Sequence, residues 1–377
     1  MALTKHKLGE LIYEITRKND TQEYGINYVR GVSNTKEIMP TKADVDPEVI
    51  HKFYIIMPNE FIYNPRTTRM GDKVGLAYND TDIPLLFTFN NIAFGIKESA
   101  KKIILPDYLY IFFNRSEFDR YAIVNSWGSA TELFTFEEMC DMDIDLPPLS
   151  VQQKYVNIYK AMLENQRCYE RGLDDLKLTC DAYIEDLRRK IKPERIGNYL
   201  LESDKRNDIG LTVSAVRGLA TSKQMIDTKA DMEGVSLNNY KIVLPKQIAY
   251  VPDTSRRGDK VSLGFNNTEE TYLVSSISIV FGTKEDDLLS DYLMLFLTRS
   301  EFDRYARFNS WGSARETFNF EDMCDVKIPI PDIQVQRSIA NIYNVYIERK
   351  KINERLKEQI KKMCPVLIKG SLEEGAK

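Results

Sequence analysis

SEFDRYAIVNSWGSA occupies residues 116–130, and SEFDRYARFNSWGSA occupies residues 300–314. Thirteen of the fifteen positions are identical, at an offset of 184. The match continues downstream. Phe136, Met139, Cys140 and Asp141 meet Phe320, Met323, Cys324 and Asp325. Pro147, Gln152, Asn157, Ile158 and Tyr159 meet Pro331, Gln336, Asn341, Ile342 and Tyr343. Upstream the halves align at an offset of 187: Val29-Arg30-Gly31 meets Val216-Arg217-Gly218, TKAD at 41–44 meets TKAD at 228–231, and Gly71-Asp72-Lys73-Val74 meets Gly258-Asp259-Lys260-Val261. Gly95 meets Gly282, and Leu8-Gly9 resembles Ile196-Gly197. The change of offset places three extra residues in the first half, between Lys97 and Asp107. A period near 185 is far longer than the ~20–50 residues of a solenoid repeat. The chain is therefore a duplicated domain. Duplication can serve size or stability alone, but it also predicts pseudo-twofold symmetry, which suits a partner with a twofold axis such as duplex DNA.

The length of 377 residues fits two or three domains. With 43% hydrophobic and 29% charged residues, a soluble globular protein with real cores is expected. No apolar run reaches the ~18 residues of a membrane span. MALTKHKLGELIYEI at the N-terminus lacks the apolar stretch and cleavage site of a signal peptide, so a cytoplasmic protein is expected. The five cysteines (Cys140, Cys168, Cys180, Cys324 and Cys364) form no CxxC pair and suit neither a disulfide framework nor zinc. Two histidines, His6 and His51, cannot build a histidine-rich metal site. The net charge of −4 and pI of about 5.6 run against a protein that holds DNA alone. A locally basic face, or phosphate contacts supplied by a partner, would reconcile the two.

Each half opens with short strand-like runs, such as Tyr28-Val29, Phe53-Tyr54-Ile55-Ile56 and Phe61-Ile62-Tyr63, punctuated by Pro, Asn and Gly. The spacing of Tyr108, Leu109, Phe112 and Phe113 predicts a helix over 107–125, with a twin over 291–309. Turns at Trp127-Gly128-Ser129 and Trp311-Gly312-Ser313 follow, with both tryptophans expected as core anchors, and then short strands at 143–146 and 326–328. Each half is thus a mixed α/β domain of the α+β kind.

Each domain ends in proline and then a long helix. Val151, Tyr155, Ile158, Met162, Tyr169, Leu173, Leu176, Cys180, Tyr183 and Leu187 fall mostly at alternating spacings of four and three. Val335, Ile339, Ile342, Tyr346, Ile352, Leu356, Ile360 and Met363 do so less regularly, and Pro365 is expected to end the second helix. These are coiled-coil stripes. Pairing of two repeat-related helices makes them antiparallel, with a domain at each end. About 40 residues at ~1.5 Å each give a spacer near 60 Å, against ~34 Å for one turn of DNA.

The segments LPPLSVQQKYVNIYKAM (146–162) and IPIPDIQVQRSIANIYNVY (328–346), in this order of parts, resemble specificity subunits of type I restriction–modification enzymes. In that family a Gly-Ser or Gly-Thr turn, a short strand, a Leu/Ile-Pro-Pro-Leu-like segment and a Gln-containing helix start close each target-recognition domain. Gly128-Ser129, Pro147-Pro148-Leu149 and Gln152 fit that description. Gly312-Ser313, Pro331, Ile333 and Gln336 fit it less fully, because Asp332 replaces the second proline. The resemblance covers essentially the whole chain. It implies two target-recognition domains, 1–149 and 193–332, with a first spacer helix over 150–192 and a second spacer helix with a C-terminal tail over 333–377, the helices forming an antiparallel coiled coil. It further implies a non-catalytic subunit whose domains each read one half of a split, asymmetric DNA sequence. Its helices would bind two modification subunits, through positions such as Val151, Tyr155, Ile158, Met162, Leu173, Leu176, Leu187, Val335, Ile339, Ile342, Leu356 and Ile360. Those partners carry S-adenosylmethionine and methylate adenine, and restriction subunits add ATP- and Mg-dependent translocation and cleavage.

The chain holds no GxxxxGK[ST], GxGxxG or GxSxG motif. Asn64-Pro65 is followed by Arg66-Thr67, so it reads as a turn and not as a methyltransferase Asn-Pro-Pro-Tyr motif. Carboxylates are spread over solvated faces, with no constrained pair for acid/base work. The DNA-contact candidates lie in NPRTTRMGDK (64–73) and VPDTSRRGDK (251–260): Arg66, Thr67, Arg69 and Lys73, then Arg256, Arg257 and Lys260. Arginine forks suit guanine edges, while Thr and Lys suit phosphate. The plain alternative is a solvated loop whose arginines pair with Asp72 or Asp259. Ser129, Thr131 and Ser313 join the candidates from the tryptophan turns. Arg120 and Arg304 are expected on solvated helix faces beside Asp119 and Asp303. A coiled-coil adaptor that binds only proteins is the competing reading, as is the specificity subunit of a bipartite-site system outside type I.

Overall fold

Runs of two to five strand-forming residues, cut by Pro, Asn and Gly, leave each repeat with short antiparallel pairings rather than one long sheet. A computed structural model describes residues 3–41, 44–67, 73–129, 131–254, 260–313 and 315–377. The chain divides into two compact units, Met1–Tyr169 with Asn353–Lys377, and Glu170–Ile352.

In the first unit the order is β1 (Thr4–Lys7), α1 (Leu8–Leu11), β2 (Ile12–Ile15), β3 (Arg30–Val32), β4 (Ile38–Pro40), β5 (Tyr54–Ile56), β6 (Phe61–Tyr63), β7 (Leu76–Tyr78), β8 (Leu85–Phe87), β9 (Ile92–Ile96), α2 (Pro106–Phe113), α3 (Ser116–Val124), α4 (Phe136–Cys140), β10 (Asp143–Leu146) and the start of α5 (Leu149–Lys190). The main sheet is antiparallel, in the order β2-β9-β6-β7, flanked by the pairs β1–β10, β3–β4 and β5–β8. The second unit repeats this with β11 (Glu194–Arg195), β12 (Leu200–Ser203), β13 (Arg217–Leu219), β14 (Met225–Asp227), β15 (Lys241–Val243), β16 (Ile248–Tyr250), β17 (Leu263–Phe265), β18 (Tyr272–Val274), β19 (Ile279–Thr283), α6 (Ser290–Leu297), α7 (Ser300–Phe308), α8 (Phe320–Cys324), β20 (Lys327–Ile328) and the start of α9 (Ile333–Gly375). Its main sheet runs β12-β19-β16-β17, with β11–β20, β13–β14 and β15–β18 as the pairs. The three extra residues of the first half fall where its chain makes a five-residue 3-10 turn, Glu98–Lys102.

The helix expected over 107–125 is two helices, and so is its twin. α2 stops at Phe113 because Arg115 is extended (φ −91°, ψ 149°), and the Arg115 side chain donates to the Phe112 carbonyl at 3.0 Å. In the second unit Thr298 closes α6 through its hydroxyl to Met294 O at 2.9 Å. The break lets Phe113 and Phe118 enter one core from two directions, with ring centroids 4.7 Å apart. Tyr28 lies in a 3-10 turn at Ile26–Tyr28, and the strand starts only at Arg30.

Several repeated residues prove to be packing devices. Gly9 and Gly197 lie against Cys140 and Cys324, where an added Cβ would sit 2.8 and 2.6 Å from the cysteine Cβ. Gln152 is wholly buried. Its amide donates to Ile103 O and Pro147 O, both at 2.8 Å, and its oxygen accepts from Leu105 N at 3.0 Å. Gln336 does the same with Asp287 O, Pro331 O and Leu289 N. One side chain thus satisfies three buried backbone groups where the domain ends and the long helix begins.

The long helices are antiparallel within each unit. In the first, Lys154 pairs with Glu374 at 2.7 Å, and Gln166 donates to Asn353 at 2.9 Å. In the second, Gly172 faces Arg349. The chain's C-terminal segment fills, in the first unit, the place that the latter part of α5 fills in the second: Cys364 and Ile368 stand 184 positions from Cys180 and Ile184, and all four are buried. The expected stripe needs a one-residue correction near the start of α5 and again at Tyr183. Ile158 and Tyr183 are exposed, whereas Val156, Tyr159 and Ile184 are buried. Val156 and Tyr159 join the domain core, so the helix serves its own domain as well as a neighbouring helix, and one stripe cannot serve both. Leu173, Leu187, Ile339 and Ile360 are buried, Val151, Tyr155, Met162, Leu176, Ile342 and Leu356 are half-buried, and Val335 is exposed. Pro365 does not end α9, which continues to Gly375. Burial of Leu367, Ile368 and Ser371 holds the helix beyond the proline, and the Ser371 hydroxyl meets Tyr108 at 2.7 Å. Among the described residues, no helix is long and apolar enough to cross a membrane.

Two outcomes are expected. Gln152→Ala strands three buried backbone groups and should cost about 3 kcal/mol or more in urea unfolding. Burial pushes the Cys364 thiol from 9.0 up to about 12. The unfolded thiol therefore loses its proton before the folded one, and stability falls as pH rises from 9.0 toward 12. Cys364→Ala should flatten that part of the stability–pH curve relative to the parent chain.

Candidate nucleic-acid interface

The loop after β6 is held at both feet. At the first, the Asn64 side chain accepts from Arg66 N at 3.0 Å, and Asn64 N donates to Gly75 O at 2.8 Å. Arg66 and Trp127 each bridge to Leu133, so the three lie on neighbouring extended segments. Phe134 N donates to Pro65 O at 2.8 Å, and the Tyr63 hydroxyl donates to Phe134 O at 3.1 Å. At the second foot, Val74 N donates to the Asp119 carboxylate at 3.0 Å. That carboxylate is buried against the Lys36 ammonium, at 2.6 and 2.7 Å. Lys36 is held at a positive φ of 61° in the β3–β4 turn. Burial draws the Lys36 pKa below its usual value. Asp119 opposes that shift, and the neighbouring charge of Lys73 adds to it.

The second unit repeats the arrangement. Asp253 and Trp311 bridge to Thr317, and Phe318 N donates to Pro252 O at 2.9 Å. Val261 N donates to Asp303 at 2.9 Å. Lys223, at φ 63°, pairs with Asp303 and donates to Val261 O at 2.8 Å. Burial lowers its pKa too, against Asp303.

The candidates fall into three groups. Arg66, Lys73, Lys260, Ser129 and Ser313 are exposed around these loop feet. Thr67 is buried: its amide and hydroxyl both donate to Glu132 O, at 3.1 and 3.3 Å, and Thr254 does the same with Glu316 O. Its role in the fold is to fasten the loop. Arg69, Arg256 and Arg257 lie outside the described residues. Thr131, Arg120 and Arg304 are exposed.

The expectation that the tryptophans anchor the core is overturned. Trp127 is 68% exposed and Trp311 66%. Phe134 and Phe318 fill the core instead, from the next extended segment. The Lys36–Asp119 and Lys223–Asp303 pairs were missed because each aspartate stands beside an exposed arginine and reads as a solvated face. The signal was present: Lys36 and Lys223 are 187 apart, the offset of the upstream repeat. Among the described residues, no group of three or more His, Cys, Asp or Glu side chains is placed to hold a metal ion.

Residues 254–362 match a family model described as the type I restriction modification DNA specificity domain. Among solved structures, the S subunit of a type I restriction–modification system from M. genitalium matches with a TM-score of 0.57 at 10% identity, over 98% of this chain and 96% of that one. At that identity the likeness is one of fold. The HsdS subunit from Thermoanaerobacter tengcongensis matches with a TM-score of 0.38 at 13% identity, over 98% and 96%. No curated protein matches.

Lys36→Met leaves a buried carboxylate without its cation and is expected to destabilise the fold by about 3–5 kcal/mol. The double change Lys36→Met with Asp119→Leu should cost less than the sum of the single changes, read from a denaturation double-mutant cycle.

Proposed function

We infer that this chain is a specificity subunit of the type I restriction–modification kind, and that its two repeats read the two halves of a split, asymmetric DNA sequence. The observation that carries this reading is the same twice-built feature: a loop rich in arginine and lysine, pinned at one foot to a tryptophan turn and at the other to a buried lysine–aspartate pair. A scaffold that fixes the feet of a loop so firmly suits side chains that must meet base edges in a set register. The repeats share the scaffold and differ within the loops, where TTRMGDK stands against TSRRGDK, so the two half-sites are expected to differ.

In this reading the chain performs no chemistry. Two modification subunits supply S-adenosylmethionine and transfer the methyl group to adenine. Restriction subunits, where present, supply ATP- and Mg-dependent cleavage. The long helices set the distance between half-sites and carry the modification subunits. The acidic net charge of −4 favours an adaptor that binds only proteins, and the basic loops oppose that reading.

The test is co-purification with the partner methyltransferase and single-molecule sequencing of host DNA for methyladenine. A split asymmetric motif that disappears when this chain is deleted is the expected result. A stable complex with no change in methylation would favour the adaptor. Arg69→Ala or Arg256→Ala should weaken discrimination at one base pair by ~1–3 kcal/mol if that arginine reads guanine. Equal loss on every sequence would identify a phosphate contact.

A further inference from the structure

Within the fifteen-residue repeat, the two halves differ at only two positions: Ile123-Val124 in the first and Arg307-Phe308 in the second. Both lie at the end of the helix that leads into the tryptophan turn. The second position of each pair is among the most exposed large apolar residues of the protein, with Val124 at 73% and Phe308 at 81%. Ile123 and Arg307 are half-buried, and Arg307 pairs with Glu316, so the fully solvent-facing difference within the repeat is Val124 against Phe308.

The backbone of each neighbouring tryptophan is held by a pair of hydrogen bonds. Trp127 donates to Leu133 O at 3.2 Å and accepts from Leu133 N at 2.9 Å, and Trp311 is bound in the same way to Thr317. Gly128 and Gly312 turn the chain at φ +145° and +142°, where a Cβ would collide with the carbonyl oxygen of Thr131 or Arg315. The indoles thus stand out from tight turns. A lone exposed apolar residue needs no explanation. Two exposed tryptophans on backbone pinned in the same way, each next to an exposed Val or Phe and to exposed basic side chains, do. Arg66 and Arg120 are exposed in the first unit, and Arg304 and Arg315 in the second. Aromatic faces among basic groups suit a nucleic acid, whose sugars and bases take the rings while its phosphates take the charges.

We propose that Trp127 and Trp311 pack directly on the DNA duplex, and that Val124 and Phe308 beside them are residues by which the two half-sites are told apart. This rests on the reading of the chain as a DNA specificity subunit. Trp127 and Trp311 are the chain's two tryptophans, so indole signals report on these two places alone.

The chain is labelled with 5-hydroxytryptophan and assembled with the unlabelled partner methyltransferase. The complex is then titrated with duplex carrying the methylated motif. The label's emission should change on adding duplex. Trp127→Ala and Trp311→Ala should each bind that duplex about 10- to 100-fold more weakly while still assembling with the partner. Trp127→Phe should recover part of the loss. Val124→Phe and Phe308→Val should each alter the methylated sequence in one half of the motif and leave the other half unchanged. A parent complex that reads a split motif, with alanine variants binding within twofold of it, overturns this inference and leaves the specificity reading intact. Emission that responds to the partner subunit but not to duplex makes the turns a protein interface and also overturns it. A parent complex that binds no motif overturns both.

Discussion

A buried carboxylate holds the basic loop of each domain in place. Asp119 accepts from Lys36 and from the backbone of Val74, and Asp303 accepts from Lys223 and from Val261. A charge removed from water is tolerated only when paired and hydrogen-bonded. The aspartate therefore draws three separate pieces of chain together: a hairpin turn, the return foot of the basic loop, and the helix before the tryptophan turn. Had hydrophobic packing alone joined these pieces, their register would be free to slip. The directed bonds of one carboxylate oppose such slippage.

From that anchor the outer features follow in order. The helix bearing the aspartate ends at Asn125 or Asn309, whose side chain donates back to Tyr121 or Tyr305. The tryptophan turn comes next, and the segment after it pairs with the first foot of the basic loop. Both feet of the loop are thereby tied to one short stretch of sequence. The buried part of that stretch (Phe118, Asp119, Ala122 and Ser126 with their counterparts) is the same in both repeats because it answers to this packing and these bonds.

The long helices obey a second constraint. Each unit needs two helical segments to cover its core, and only one of them follows its domain directly. In the first unit the other is the chain's own C-terminal segment, with Cys364, Leu367 and Ile368 in the same cluster as Val156 and Tyr159. In the second it is the latter part of α5, with Ile184 and Leu187 beside Ile339. The glutamines at 152 and 336 fix the point where each helix leaves its domain. The helices are thus parts of the domain cores as well as connectors.

The duplication, the order of elements and the long helices were legible from the sequence, because a repeat and a proline-bounded apolar stripe are properties of the chain in one dimension. The three-residue insertion was legible too, from a change of offset. The structure decided matters that depend on what lies opposite a residue in space. Trp127 faces solvent, while Phe134, across its backbone pairing, fills the core against Tyr63 and Phe118. Pro365 sits inside a helix because the turns beyond it bury Leu367 and Ile368. Thr67 is buried because its hydroxyl turns to Glu132 O. Asp119 and Lys36, 83 positions apart, meet only once the hairpin folds over the helix. Hydrophobic pattern assigns a residue to an element, whereas which face it occupies is settled by the competing side chains of other elements, and those come together only in the fold.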